Sequence, residues 1–358
     1  MIPLSQREIN KLKASPIFNC SLSSKELFHS NFLYWLCHTY NKELGQLFVD
    51  CLNLRTPSSK ITNPERENKN LDIKFQLGNK LLVIENKVKS IPSLAQLEKY
   101  ETLFSNNNEV KLVLLSLSKP AFKLKNWEYL SYTKYIEKII TPLNRQIKNS
   151  YHKRIISDYI DLITFLTKTL KPIAQKADIV KLHKSPKKEL LDDLRLADVF
   201  QKLAYENFSN KLKANAVSFS KKYGKEIEIG SGLTNTQGLV SMHILIKNVK
   251  FGVQIQGEQY RAYIETIDKS RSQVQKITQR LLKDGAWFNL SPLKTLSGIF
   301  PFDNSKFNKF DSPKKNIFFK YRYVKLHEAC TSEKELMMLL IKDLKYLLQN
   351  QNKLAKYC

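Results

Sequence analysis

Acidic residues are scarce in this chain: 33 Asp+Glu stand against 59 Lys+Arg over 358 residues, a formal charge of +26. That imbalance suits a polyanionic partner, with nucleic acid foremost, although a solvated lysine-rich surface explains composition equally well. Cysteine is sparse too. The five thiols, Cys20, Cys37, Cys51, Cys330 and Cys358, are odd in number and form no CxxC pair. Neither a zinc ribbon nor a disulfide framework is expected, and a reducing cytoplasm fits. No run of eighteen apolar residues occurs, and the first thirty residues lack the apolar core of a signal peptide, so a cytoplasmic protein with no membrane partner is expected. Ten glycines and twelve prolines are too few for collagen-like or low-complexity sequence, while 42% apolar residues support a folded core. There is no GxxxxGK[ST] loop and no HExxH. His29, His38, His152, His183, His243 and His327 stand at no ligand spacing and are expected on helix surfaces or in the core.

What is present begins with helical periodicity. Ser24 is placed to cap KELFHSNFLYWLCHTY, with Glu26 in its first turn, and KELGQLFVDCLNL follows. The polar run 55–70 reads as a loop or a ragged strand entry. Residues 72–88, DIKFQLGNKLLVIENKV, then read as two strands about a tight Gly78-Asn79 turn. If Leu77 faces Lys80, Asp72 faces Glu85. Alternation puts Asp72, Lys74, Gln76, Leu81, Val83, Glu85 and Lys87 on one face, and Ile73, Phe75, Leu77, Leu82, Ile84 and Asn86 on the other. After Ser90 and Pro92 comes a helix, SLAQLEKYETLF, whose Gln96 and Tyr100 project together. An apolar strand occupies 111–118. The periodicity is helical from about 127 to 215, strands fill 225–267, and a final helix opens with Ser332 and Glu335 spaced as a capping box. No internal repeat or long linker is evident. Charge is uneven: residues 1–120 hold 16 Lys+Arg and 11 Asp+Glu, and residues 121–358 hold 43 and 22.

Two carboxylates directly across an antiparallel pair sit about 4.5–5.5 Å apart at Cβ and repel one another. A cation between them removes the conflict. Asp72 and Glu85 therefore read as an open oxygen-ligand site for Mg²⁺ or Mn²⁺, to which the main-chain carbonyl of Asn86 adds a further ligand. Lys87, two residues on along the same face, is placed to orient a water and to offset charge on a phosphate. The plainer alternatives are acids in solvent or paired with Lys74 and Lys87, and Glu26 favoured in a first turn by the helix dipole alone. Gln96 and Tyr100 are either packing residues or residues that shape the site.

Asp72, the step to Glu85-Asn86-Lys87, and then Gln96 and Tyr100 resemble the PD-(D/E)xK nuclease superfamily. In one bacterial branch a first-helix Glu joins the site, at the position of Glu26. Trp127 and Tyr132 of WEYLSY, and GVQIQGEQYR from Gly252 to Arg261, also resemble that branch. The proline that names the motif is replaced by Leu71, a variation the superfamily tolerates. The resemblance implies an α/β fold with a restriction-endonuclease-like α-β-β-β-α-β core over 1–145, followed by a basic α+β extension over 146–358. It further implies a metal-dependent nuclease, DNA before RNA, with Glu26, Asp72, Glu85, Lys87, Gln96 and Tyr100 in the site and bacterial anti-phage defence as its setting. Two rivals remain: a catalytically silent nucleic-acid-binding module, and an effector subunit that needs a partner protein or self-association. FFKYRYVKL (318–326) interleaves aromatics with Lys320, Arg322 and Lys325, either as a nucleic-acid contact or as an ordinary strand with a basic face. The clusters at 181–188 and 311–316 read as exposed loops with sequence-independent phosphate contacts.

Overall fold

Serine caps set the first helices. Ser5 and Glu8 exchange side-chain and backbone hydrogen bonds at the start of α1 (Gln6–Ala14), and Ser15 caps α2 (Pro16–Ser21), where proline at the first position lacks only a donor the helix does not use. The computed structural model describes residues 5–22, 25–68, 71–105, 107, 109–182, 187–234, 237–266, 271–284, 287 and 318–358. Ser24, His183 and the 311–316 cluster lie outside them, as does half of the 181–188 cluster. Two compact units result, one of residues 1–176 with 189–204 and the other of residues 177–188 with 205–358.

In the first unit α3 (Lys25–Thr39) and α4 (Asn41–Leu52) precede β1 (Ile61–Asn68), β2 (Leu71–Leu77) and β3 (Lys80–Lys87). Helix α5 (Leu94–Leu103) leads to β4 (Val110–Ser116) and β5 (Trp127–Ser131), and the sheet order is β1-β2-β3-β4-β5. β1 to β3 pair antiparallel, β3 to β5 parallel. The expected hairpin register holds, from Leu77 opposite Lys80 to Ile73 opposite Ile84. Gly78 makes it possible with a left-handed φ of 57°, and a Cβ there would meet Thr56 Oγ1 at 2.3 Å.

Both faces of this sheet are covered. Phe48 of α4 packs on Phe75, while α5 sets Leu97 and Tyr100 among Leu71, Val83, Leu112, Leu114 and Trp127. Three expectations are corrected. Residues 127–131 form an edge strand rather than the start of the helical region, because Trp127 pairs beside Leu112 and its indole donates to the Leu97 carbonyl at 3.3 Å. Of the two readings of the run 55–70, the strand entry is the one found over 61–68, as β1 bulged between Thr62 and Glu65, and the loop reading is corrected there. The first unit runs on past residue 145, because the helix Ser150–Thr164 stacks Tyr159 on Phe32 with ring centroids 4.0 Å apart and its Asp158 accepts from the Ile17 amide.

The second unit is built on an antiparallel sheet of β6 (Glu228–Thr234), β7 (Gln237–Ile246), β8 (Val249–Gln256), β9 (Gln259–Thr266) and β10 (Phe318–Lys325), in the order β10-β9-β8-β7-β6. The helix Glu333–Gln349 packs on β7 and β8. Its capping box is only half formed. Ser332 accepts from the Glu335 amide, but the Glu335 carboxylate turns to Thr331, which offers it both an amide and a hydroxyl, at 2.7 and 2.9 Å. Within β10 the three expected contact cations divide. Lys320 and Arg322 alternate away from Phe319, Tyr321, Tyr323 and Lys325, and Lys320 is only 4% exposed. The idea that the cations line one contact is therefore corrected: the aromatic face is the wetter one. No described helix is long and apolar enough to cross a membrane.

Candidate active site

β3 is near-continuously buried, as a strand with neighbours on both edges and layers on both faces must be, yet it carries a carboxylate inside that run. Glu85 is 1% exposed. Its Oε1 accepts from Gln96 Nε2 of α5 at 2.8 Å and pairs with Lys87 Nζ at 2.6 Å. Gln96 Nε2 also donates to the Tyr100 hydroxyl at 3.1 Å, so the four-residue spacing on α5 links Tyr100 to Glu85 through Gln96. The other oxygen, Glu85 Oε2, is buried with no hydrogen-bond partner. An ionised oxygen left so costs several kilocalories unless a cation meets it.

Asp72 follows the first residue of β2, one step beyond the last backbone pair of the hairpin. There the Asn86 amide donates to the Asp72 carboxylate at 2.7 Å, so a side chain continues the ladder where main chain leaves off. Burial pushes the carboxyls of Asp72 and Glu85 above their ordinary range, the Asp72 charge raises Glu85 further and the Glu26 charge raises both, while the Asn86 amide lowers Asp72 and the Lys87 ammonium works against the rise in each. Burial alone would lower Lys87, but the Glu85 carboxylate outweighs it and its value rises. Both carboxyls therefore hold their protons more tightly than they would in water, and a cation beside them loosens that hold. Lys74, the alternative partner for Asp72, instead pairs with Glu65 at 3.1 Å.

The Glu26 side chain is placed beside this cluster but spends its oxygens on the chain. It accepts from the amides of Val88, Lys89 and Ser90 at 2.8, 2.7 and 2.5 Å, fixing the turn that leaves β3. Asn86 is 4% exposed and points away from the carboxylates, as alternation requires. Its Nδ2 donates to Ser30 Oγ and to the Glu26 carbonyl, both at 3.3 Å, and its Oδ1 accepts from Tyr132 at 2.5 Å. Only main-chain atoms of Asn86 face the site.

Sequence reasoning missed Lys202. Its ammonium is fully buried and donates to the Lys87 carbonyl at 2.8 Å and to Ser116 Oγ at 3.2 Å, and Ser116 Oγ itself donates to that carbonyl at 3.0 Å. Lys89 pairs with Asp198 one turn earlier on the same helix, Ala197–Tyr223. A lysine 115 residues downstream leaves no local pattern to find it by.

The donor set fits a small hard cation: two carboxylates, one with a buried unmet oxygen, and a nearby main chain. No group of three or more His, Cys, Asp or Glu gathers among the described residues, so a metal would depend on that pair, main chain and water. Comparison with curated proteins and with solved structures gives no match. A family model described as the PD-(D/E)XK nuclease superfamily matches residues 17–161, the span that holds Glu26, Asp72, Glu85, Lys87, Gln96 and Tyr100. Over this segment, which is less than half of its length, the chain is similar to the PD-(D/E)XK nuclease superfamily.

Proposed function

We propose that the first unit is a divalent-metal-dependent phosphodiesterase acting on DNA in preference to RNA, with Asp72, Glu85 and the Asn86 carbonyl holding Mg²⁺ or Mn²⁺. One observation carries the reading: the buried, unpartnered Glu85 Oε2, set beside a second raised carboxylate and one ammonium. A bound divalent cation supplies Lewis-acid polarisation of the scissile phosphate. The rest falls to the chain. Lys87 holds the attacking water and offsets charge on the phosphate oxygens, Gln96 and Tyr100 fix the Glu85 carboxylate, and Glu26 fixes the turn after Lys87. Bacterial defence against foreign DNA, in the cytoplasm, is the setting the resemblance favours.

Plasmid and oligonucleotide cleavage by purified protein, with and without Mg²⁺ or Mn²⁺, is the test. Cutting should require metal and should vanish in Glu85→Ala and in Lys87→Ala while binding persists. Salt-dependent binding with no cleavage on any substrate favours a silent binding module instead. Cleavage that appears only with a partner protein favours an effector subunit.

A further inference from the structure

One face of the second unit's sheet is dry, and the other is partly exposed around a buried centre that includes Arg261, Tyr263 and His243. Val249, Phe251, Val253 and Ile255 of β8 are buried toward the helix Glu333–Gln349, whose Asp343 accepts from the Tyr260 hydroxyl of β9. The opposite positions are partly exposed and polar or aromatic: Gln254 and Gln256 on β8, Gln259 on β9, and Phe319, Tyr321 and Tyr323 on β10. On β10 the rings form a row, with centroids 5.6 Å apart from Phe319 to Tyr321 and 6.1 Å from Tyr321 to Tyr323.

Arg261 lies across this row. It is 7% exposed, its guanidinium sits 4.5 Å from the Tyr321 ring centroid, and it donates to Gln254 and Gln259 at 3.0 and 2.8 Å and to Gln256. Among the described residues none of its partners is a carboxylate. A buried cation among neutral amides and a ring, without an acid to balance it, is an arrangement that an incoming anion completes. The acids that share the face are already met, Glu265 by Lys250 at 2.8 Å and Glu228 by His243 at 3.0 Å. The residues of this unit carry 30 Lys+Arg against 14 Asp+Glu, or +16.

We propose that this face binds a single-stranded nucleic acid, bases stacking on Tyr321 and Tyr323 and a phosphate meeting Arg261. Stacked rings select for single strands because the base faces of a duplex are already occupied by their neighbours, while every unpaired base offers a π surface whatever its identity. The glutamines hold the guanidinium by their carbonyl oxygens, which leaves their amide nitrogens able to donate to sugar or base. Binding there does not depend on the chemistry proposed at Glu85.

Fluorescence anisotropy of a labelled twenty-nucleotide oligothymidylate, on the full chain in chelator so that no metal-dependent cutting intervenes, tests it against a duplex of equal length. The single strand should bind more tightly than the duplex. Tyr321→Ala and Tyr323→Ala should each weaken it by roughly fivefold or more, and Tyr321→Phe should stay within twofold. Single-strand affinity unchanged in both alanine variants, or a duplex bound as tightly as the strand, overturns the proposal. So does a Tyr321→Ala variant whose only change is loss of self-association. If an alanine variant fails to fold, photocrosslinking of iodouracil-substituted oligonucleotide to wild type decides: adducts at Tyr321 or Tyr323 support the site, and adducts confined to other residues overturn it.

Discussion

The two five-stranded sheets of this protein treat polarity in opposite ways. β3 of the first is flanked on both edges and covered on both faces, yet holds Glu85 and Asn86 within its buried run. β8 of the second nearly alternates, with Val249, Phe251, Val253 and Ile255 buried and Lys250, Gln254 and Gln256 partly exposed, and on β10 Phe319, Tyr321 and Tyr323 are partly exposed. A carboxylate kept under a helix works against stability, so its presence signals chemistry; polar groups on a wet face need no such reason, and only their composition points to a partner. Substitutions should therefore be severe in the first sheet and mild in the second.

The largest effect is expected at Glu85. Glu85→Ala should lower metal-dependent cleavage by about a thousandfold, as loss of a ligand to a charge-stabilising cation does. Cleavage near the wild-type rate would break the contrast at its centre. Next comes Glu26→Ala, which strips an ionised acceptor from three amides and should destabilise the fold by roughly 3 kcal/mol in chemical denaturation. Lys202→Met should cost roughly 2 kcal/mol by leaving the Lys87 carbonyl short of a donor, and should also lower kcat with KM little changed, because it positions the strand that carries Lys87.

A pH series sharpens the same contrast. Asp72 and Glu85 have raised values in the folded chain, so the folded state binds protons more tightly than the unfolded one. Stability of the metal-free protein should fall as pH rises from the ordinary carboxylate range through their raised values, and Mg²⁺ should flatten the fall by binding the ionised pair. Thermal melts with and without the cation measure this, and Glu85→Gln should remove most of the slope. The smallest effect belongs to the second sheet: Leu245→Thr, at an exposed position of β7, should shift stability by less than about 0.5 kcal/mol.

The first sheet's hairpin was legible because its information is local. A glycine that must turn left-handed fixes the register, and the register fixes which acids oppose. Gln96 and Tyr100 were legible because helical spacing alone makes them neighbours. What stayed hidden depends on contacts that spacing does not encode. Glu26 looked like a site acid, and only the folded chain shows its oxygens taken by the amides of 88–90. Lys202 and Ser116 meet at a main-chain carbonyl, which any residue at position 87 would offer. Trp127 to Ser131 is too short for periodicity to separate strand from helix. In β10 the eye follows the lysines and arginine, whereas alternation turns Lys320 and Arg322 inward and leaves the rings toward solvent.

The place of β3 between β2 and β4 has a consequence for how this protein fails. Amide hydrogens along residues 82–84 are locked on either side by neighbouring strands, so they should exchange with deuterated solvent among the slowest in the first unit, released only when that unit opens as a whole. Fraying at the ends of the chain or at β5 would leave the reactive groups in register. Under mild heat or denaturant, loss of turnover should therefore track cooperative melting of that unit and not the earlier loosening of its periphery.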